Sequence, residues 1–169
     1  MTRLGRMVTT CIAALAVGAS MLPQPSPQLI WNASASVPIG LYAVRPVGNL
    51  YAGELVLVRP PGNITSFLQE RGYLAAGVPI LKHVLALPGQ SVCRSGGTII
   101  VDDTAVGDAL ERDRRERSLP AWQGCRIVRD GEVFLMNRQS ESSFDGRYFG
   151  LLPASTIVGR LTPLWIERD

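Results

Sequence analysis

The chain has 169 residues, with 17 lysines and arginines, 14 aspartates and glutamates, one histidine and a net charge of +3. Sixteen of the basic residues are arginines, so Lys82 is the only lysine and its neighbour His83 the only histidine. A single histidine excludes mechanisms that need two, including most histidine-based zinc sites. Without Arg3 and Arg6, 15 basic residues face 14 acidic ones. Because the remaining chain is nearly neutral, its charge does not indicate nucleic-acid binding.

Residues 1–22 have the pattern of a membrane-targeting segment. Arg3 and Arg6 precede an uncharged run, Met7–Leu22, which as a helix would extend about 24 Å at 1.5 Å per residue. That length is short for a hydrocarbon core of about 30 Å. We interpret the segment as either a signal peptide or a thin membrane anchor, followed by a Pro-rich spacer over 23–30. Since basic flanks stay in the cytoplasm, the rest of the chain is expected outside it.

The sequence predicts a disulfide between Cys93 and Cys125, because paired cysteines in an exported domain are usually oxidised. The loop that they would close has about 33 residues, and closing it is worth about 3–4 kcal/mol on the chain-entropy model. It encloses the most charged stretch, Asp102–Arg117. Two unpaired buried thiols are the alternative that the sequence leaves open.

The body of the chain, 31–169, is predicted to be one mainly β domain, barrel-like or sandwich-like, with one or two short helices. Short β-branched runs recur between glycine and proline signals. Thr65–Ala76 is the best helix candidate, with Ser66 and Gln69 as a capping box. Asp108–Ser118 is either helical or a solvated charged loop. The predicted strands are Gly40–Val44, Glu54–Val58, Ile80–Leu87, Thr98–Val101, Arg126–Val128, Glu132–Met136, Ile157–Leu161 and Leu164–Ile166.

Lys82 lies within the longest apolar run, Ile80–Leu87. Unless that strand lies at a sheet edge, the ammonium group has apolar neighbours, and loss of solvation lowers a lysine pKa. A lysine with a pKa of about 7–8 can act as a general base. The alternative for an isolated lysine in such a strand is a side chain that reaches back to solvent.

A base of this kind needs a nearby nucleophile, and two serine-containing segments are candidates. Ser36 precedes Val37-Pro38, and the proline restricts the backbone before it to an extended conformation. An ordinary serine-rich linker is the alternative reading of this segment. Farther along the chain, Ser143 is placed to hydrogen-bond a lysine amine, although on its own its segment is a polar turn.

Together these segments resemble the serine–lysine signal peptidases, and most closely the TraF-like conjugative transfer peptidases. The serine box is Ser36–Tyr42 (SVPIGLY), the lysine box Leu81–Gly89 (LKHVLALPG) and the third box Ser143–Gly150 (SFDGRYFG). The three boxes occur in order, and the resemblance extends from about Asn32 to Trp165. It implies a signal-peptidase-like β domain behind an N-terminal membrane-targeting helix.

The resemblance implies a role for each matching residue. Ser36 is the nucleophile and Lys82 the general base. Ser34 takes the place of a hydroxyl that assists the Ser36 backbone N–H in stabilising the oxyanion. Ser143 orients the lysine amine.

The third box departs from the leader peptidases at one position. Asp145 is implied as a catalytic-site residue that maintains the architecture of the site through Arg147. Leader peptidases commonly have Asp-Ser-Arg here, whereas this chain has Gly146 between the two. The supporting hydroxyl is therefore missing.

The implied chemistry is acyl transfer without a metal or cofactor, on exported precursor polypeptides with small residues before the cut. For the TraF-like branch the implied substrate is the conjugative pilin precursor, with hydrolysis or cyclisation as the outcome. The implied partners are this prepilin, the inner membrane and the conjugative transfer machinery, with no nucleic acid. The implied location is the periplasmic face of the inner membrane, or the periplasm after cleavage. Two alternatives stay open: a non-catalytic assembly component that retains the fold, and a serine hydrolase that uses His83.

Overall fold

A computed structural model describes residues 2–20 and 28–167 of the chain. An N-terminal helix, α1, extends over Arg3–Ser20. No helix in the described ranges combines the length and apolarity needed to cross a membrane. The predicted segment end at Leu22 and residues 23–27 of the predicted spacer lie outside the described residues. The first strand begins at Leu29, two residues before the predicted start of the domain.

The mainly β prediction is confirmed, since strands dominate the part of the chain after residue 28. Two further helices and one short 3-10 turn accompany the strands; they are α2 (Gly62–Glu70), α3 (Gly146–Phe149) and Ala154–Thr156. The strands are β1 (Leu29–Asn32), β2 (Gly40–Arg45), β3 (Leu55–Val58), β4 (Ile80–Ala86), β5 (Ser91–Ser95), β6 (Thr98–Val101), β7 (Thr104–Asp108), β8 (Gly124–Ile127), β9 (Glu132–Leu135), β10 (Leu152–Pro153) and β11 (Ile157–Ile166).

The strands form two antiparallel sheets. The larger has the order β1-β2-β11-β3-β4-β9-β10, and the smaller has the order β7-β6-β5-β8. Strand β4 is interior to the larger sheet, because it pairs with β3 on one side and with β9 on the other. In this register Lys82 lies opposite Val56. The lysine-bearing strand is therefore not an edge strand.

Three hydrophobic clusters hold these layers together. Ile64 and Leu68 of α2 pack with Val84 of β4 in one cluster. A second cluster joins the two sheets through Phe134 of β9 and Ile99 of β6. Each fully buried side chain of this size contributes about 1.5–3 kcal/mol. The third cluster brings Val37 of the serine box together with Leu81 of the lysine box, and its members are Val37, Tyr42, Val44, Leu57, Leu81 and Leu161.

Helix α2 differs from the predicted helix at both ends. It starts at Gly62 and not at Thr65, because the extended Pro61 caps it and accepts the backbone N–H groups of Ile64 and Thr65. The capping box is not formed. The helix ends at Glu70, since Gly72 adopts the left-handed conformation that terminates helices. Of the stretch predicted as helix or loop, 108–118, the first residue ends β7 and the rest is a loop.

Four of the observed strands were not predicted, and the two strands predicted over Ile157–Leu161 and Leu164–Ile166 form one continuous strand. Strand β11 continues through Pro163, where the pairing with β2 shifts register, so the proline that suggested a break lies at an irregularity. The unpredicted strands are short, and two of them carry few large apolar side chains. They are β1, β5, β7 and β10.

The predicted disulfide is present and joins β5 to β8. Cys93 and Cys125 lie directly opposite each other in this strand pair, 32 residues apart in sequence. The bond closes a loop that contains β6, β7 and the charged segment after β7. The disulfide therefore joins the two ends of this loop within the smaller sheet.

Replacing Cys93 and Cys125 together by serine is expected to lower the free energy of unfolding by about 3 kcal/mol, because the unfolded chain regains the entropy of an open loop. Denaturant unfolding under oxidising conditions measures the loss. Cys11→Ser, at a free and exposed cysteine, is the matched control and should leave stability unchanged. A double variant as stable as the wild type would contradict the expectation.

Candidate active site

Lys82 is buried in the larger sheet. Only 4% of its surface is exposed, and Nζ donates a hydrogen bond of 2.7 Å to the Ser143 hydroxyl. Ser143 is itself only 3% exposed. The lysine does not reach back to solvent but ends on a buried hydroxyl. This is the contact that the resemblance implied for these two residues.

The environment of Lys82 disfavours its charged form. Burial lowers the pKa of Lys82 from its ordinary value of 10.5 to about 8. Two charges act on it in opposite directions, since the Asp145 carboxylate raises the pKa and the Arg147 guanidinium lowers it. A substantial fraction of the lysine is therefore neutral near pH 8 and can accept a proton.

Asp145 and Arg147 form a buried ion pair beside the lysine. Both side chains are at most 1% exposed, and Nε and Nη2 of the arginine donate to Oδ1 and Oδ2 of the aspartate at 2.9 Å each. Arg147 Nη2 also donates to the carbonyl oxygens of Ser140 and Ser143, at 2.6 and 3.2 Å. Buried charges need such complete pairing, because an unpaired one is costly. The pair consequently fixes the backbone that carries Ser143.

Asn137 is a residue that the sequence analysis did not single out, although it brackets the lysine. Its side chain donates to the carbonyl oxygen of Leu81 and accepts the backbone N–H of His83, both at 3.1 Å. These groups belong to the two residues that flank Lys82. The backbone N–H of Asn137 in turn donates to Asp145 Oδ2 at 3.1 Å. An asparagine after a strand usually indicates only a turn, so the sequence carried no separate signal for this role.

Ser36 lies on the loop between β1 and β2, half-buried and close to Ser34. The two hydroxyl oxygens are 2.9 Å apart, and the Ser36 backbone N–H donates to Ser34 Oγ over 3.4 Å. The second bond is long and therefore weak. Both groups that the resemblance assigned to the oxyanion thus lie side by side.

A second asparagine shapes this loop. Asn32 is 5% exposed, and its Nδ2 donates to the carbonyl oxygens of Ser34, Val37 and Pro38. Its Oδ1 accepts the Ser34 backbone N–H at 3.1 Å. One buried side chain therefore satisfies four backbone groups of the serine loop. The sequence analysis missed it, because its partners depend on how the loop folds around it.

Ser36 lines two cavities, one shared with the strand of Lys82 and the other with the segment of Ser143. One, of about 590 Å³, is lined by Ser36 together with His83 and Val84, which follow the lysine. The other, of about 440 Å³, is lined by Ser36 together with Ser142 and Phe144, which flank Ser143. Ser36 Oγ and Lys82 Nζ each make the hydrogen bonds given above rather than one to each other. Catalytic hydrogen bonds commonly form only once substrate is bound.

The His83 side chain is held by Asn137. Its Nδ1 lies 3.0 Å from Asn137 Oδ1, which also accepts the His83 backbone N–H. Because Asn137 Nδ2 donates to a carbonyl, Oδ1 faces the ring, and Nδ1 is the donor. The ring therefore acts as part of the asparagine network.

The structure explains why glycine occupies position 146. A Cβ atom there would lie 2.6 Å from Phe134 Cε2 and 2.7 Å from the Leu135 carbonyl oxygen. Trp122 Nε1 also donates to the Gly146 carbonyl oxygen at 3.0 Å. There is no room for the serine that leader peptidases have here. Asp145 and Arg147 meet without any hydroxyl between them.

Comparisons with known proteins give the family of the chain. The family model described as "Signal peptidase, peptidase S26" matches residues 1–165. The chain is 36% identical to the conjugal transfer protein TraF of Agrobacterium fabrum, over 79% of this chain and 80% of that protein. It is 38% identical to a probable conjugal transfer protein TraF of Sinorhizobium fredii, over 76% and 72%. A crystal structure of a signal peptidase I from Enterococcus faecalis has 19% identity and a TM-score of 0.42, over 69% of this chain and 99% of that one.

The fold and the site thus define a mainly β protein in which a buried lysine lies beside buried polar side chains. The chain belongs to the signal peptidase family, peptidase S26. Among its relatives it is similar to the TraF proteins of conjugative transfer.

Replacing Lys82 by methionine is expected to change how stability depends on pH. The unfolded lysine holds its proton up to about pH 10.5 and the folded one up to about 8, so wild-type stability rises with pH between these values. Below pH 8 the folded protein carries the full free-energy cost of burying the charged lysine, about 3 kcal/mol. Denaturant unfolding of both proteins at pH 7 and 10 should show the stability difference shifting towards the wild type at high pH. A difference independent of pH would contradict a buried lysine with a lowered pKa.

Asn137→Ala is expected to cost about 2–4 kcal/mol of stability, because two buried backbone groups beside the lysine lose their partner. The Asn137 side chain supplies the bonds to Leu81 and His83. Equilibrium unfolding measures the cost, with Gln139→Ala, at an exposed position nearby, as the control. A loss equal to that of the control would show that the asparagine does not hold this strand.

Proposed function

We propose that the chain is a serine endopeptidase with a Ser36–Lys82 dyad that cleaves exported precursor polypeptides. The observation that carries the proposal is the buried lysine, whose pKa is lowered to about 8 and whose Nζ is held by Ser143 at 2.7 Å. Membership of the signal peptidase family supports a peptidase. Burying a lysine costs stability, and strongly shifted pKa values are typical of groups that transfer protons in active sites.

The proposed reaction is acyl transfer in two steps. Neutral Lys82 accepts the hydroxyl proton of Ser36 while Oγ bonds to the scissile carbonyl carbon. The carbonyl oxygen becomes an oxyanion, which the Ser36 backbone N–H and the Ser34 hydroxyl stabilise. The C–N bond then breaks, and the lysine returns its proton to the leaving amine. A water molecule or a second amine resolves the acyl-enzyme, giving a free carboxylate or a new amide.

The proposed substrate is the pilin precursor of a conjugative transfer system. Its support is the similarity to proteins named conjugal transfer protein TraF. If the amino terminus of the substrate resolves the acyl-enzyme, the product is a cyclic subunit, and if water does so it is a linear one. The transfer machinery is then the cellular partner, and neither a metal nor a cofactor takes part.

The proposed location is the periplasmic face of the inner membrane, with residues 1–22 as the targeting segment. An exposed apolar face supports contact with the membrane surface. Trp31 of β1 stacks on Trp165 of β11 with ring centroids 5.6 Å apart, and both rings are about half exposed. Tryptophan favours the region where lipid meets water. Leu29 and Leu164, on the same two strands, are also exposed.

A non-catalytic assembly component is the second candidate function. It is favoured by one observation, which is that Ser36 Oγ is hydrogen-bonded to Ser34 rather than to Lys82. An assembly component needs the fold but not a reactive serine. Labelling with an acylating probe separates the two candidates, because only a peptidase acylates Ser36.

Ser36→Ala and Lys82→Met are each expected to abolish processing of a prepilin by the full chain, since one lacks the nucleophile and the other the base. Lys82→Arg should fail as well, because arginine stays protonated. Processing is followed by mass spectrometry of the products. Ser95→Ala, at an exposed serine of β5, and His83→Ala should remain active. Full activity in the Ser36 or Lys82 variants would refute the proposal.

The rate of the chemical step is expected to rise with pH up to about 8 and then level off, because only the neutral lysine accepts the proton. Below pH 8, kcat/KM should fall about tenfold for each pH unit. The measurement uses a peptide substrate without ionisable side chains, so that the enzyme alone titrates. A rate that stays constant from about pH 5 to 9, with chemistry limiting, would exclude Lys82 as the base.

A further inference from the structure

The smaller of the two cavities beside Ser36 has a cationic wall. Its volume is about 440 Å³, and Ser34, Ala35 and Ser36 form one part of its lining. The segment after β7 forms another part and contributes Asp113, Arg114, Arg115 and Arg117 to the lining. Three arginines therefore line the same cavity as the proposed nucleophile.

The arginine-bearing segment is held in a defined shape. Asp113 accepts the backbone N–H groups of Arg115 and Arg117 at 2.8 and 3.0 Å. The hydroxyl of Tyr73 donates to the same carboxylate at 2.5 Å. Arg117 Nη2 also reaches the carbonyl oxygen of Arg71, at the end of α2, at 3.0 Å. The backbone of the segment is thus anchored to the body of the domain, and the side chains of Arg114 and Arg115 on it are exposed.

The charges in this wall do not balance. Asp113 is paired with Arg117 at 2.7 Å and is thereby neutralised. Among the described residues, the Arg114 side chain donates to the Ser142 hydroxyl alone, at 3.2 Å. Within residues 2–20 and 28–167, neither Arg114 nor Arg115 has a carboxylate within 4.0 Å. Two positive charges in the cavity therefore lack an acidic partner.

We propose that Arg114 and Arg115 bind a carboxylate of the polypeptide substrate near the scissile bond, so that the peptidase prefers a substrate with an acidic group there. This inference rests on the proposed peptidase function. Guanidinium groups bind carboxylates through two parallel hydrogen bonds, and they do so specifically. The anchored segment reduces the conformational entropy that binding would otherwise cost.

The carboxylate has two possible sources, which are an Asp or Glu side chain and a free carboxyl terminus close to the cut. Both present the same planar anion to the arginines. Short peptides of alanine, glycine and serine separate the sources. One set carries a single Glu, Gln or Lys at successive positions on either side of the cut, with an amidated end. The other set has no acidic side chain and ends shortly after the cut as a free acid or an amide.

Binding and cleavage are measured separately with the full chain. Ser36→Ala binds the fluorescent peptides without cleaving them, which anisotropy follows, and the wild type reports kcat/KM. We expect one position at which Glu, or the free acid end, is favoured over its neutral counterpart by about tenfold. Combined Arg114→Glu and Arg115→Glu substitutions should abolish that preference and favour Lys at the same position. Raising the salt concentration should weaken both preferences.

The matched control is Arg126→Glu, because Arg126 is an exposed arginine of β8 that does not line this cavity. It should retain the wild-type preference for the acidic peptide. Equal binding and cleavage of Glu, Gln and Lys peptides by the wild type would overturn the inference while leaving the peptidase in place. If no peptide and no prepilin is cleaved and Ser36 resists acylation, the proposed function itself fails.

Discussion

The site depends on a lysine ammonium group that is buried in an interior strand without a carboxylate bonded to it. Lys82 is 4% exposed and its hydrogen-bond partner is a neutral hydroxyl. An aspartate is close enough to raise its pKa, but both oxygens of that aspartate are engaged by Arg147. If Asp145 were free, its charge would hold the lysine protonated. Burial lowers the pKa of Lys82, and Arg147 assists through its own charge and by engaging the aspartate that would otherwise pair with the lysine.

Arg147 and its partner Asp145 also connect the site to other elements of the fold. Arg147 accepts a hydrogen bond from Arg94 of β5 at its carbonyl oxygen, at 2.6 Å, which ties the smaller sheet to the third box. Asp145 holds the backbone of Asn137, and the Asn137 side chain holds both neighbours of Lys82. One connected network therefore holds both the backbone beside Lys82 and its Nζ atom. Such a network is rigid only when every member is satisfied, which agrees with the burial of the whole set.

Sequence patterns predicted what apolar runs and motif order can specify. The strand that carries Lys82 follows from a local apolar run, although its interior position does not. The disulfide follows from a cysteine pair in an exported domain, and the resemblance implied the partnership of Ser143 with Lys82. The predicted start of α2 was wrong, because Pro61 caps the helix in place of Ser66. Asn137 escaped prediction, because its acceptor at Leu81 lies 56 residues away. Polar side chains that complete backbone bonding across such distances have no local signature.

The two cavities beside Ser36 have different linings, and the disulfide helps to maintain that difference. The lining of the larger cavity combines Val84, Leu85 and Met136 with Asp102 and Arg138, whereas the smaller one is lined by the arginine segment. That segment lies inside the loop closed by Cys93 and Cys125. One end of it follows β7, which pairs with β6, and the other precedes β8, which the disulfide joins to β5. Opening the disulfide would remove one constraint on the second end, which the β5–β8 pairing also holds. The position of the charge beside Ser36 therefore depends on that pairing, the crosslink and the Asp113 turn together.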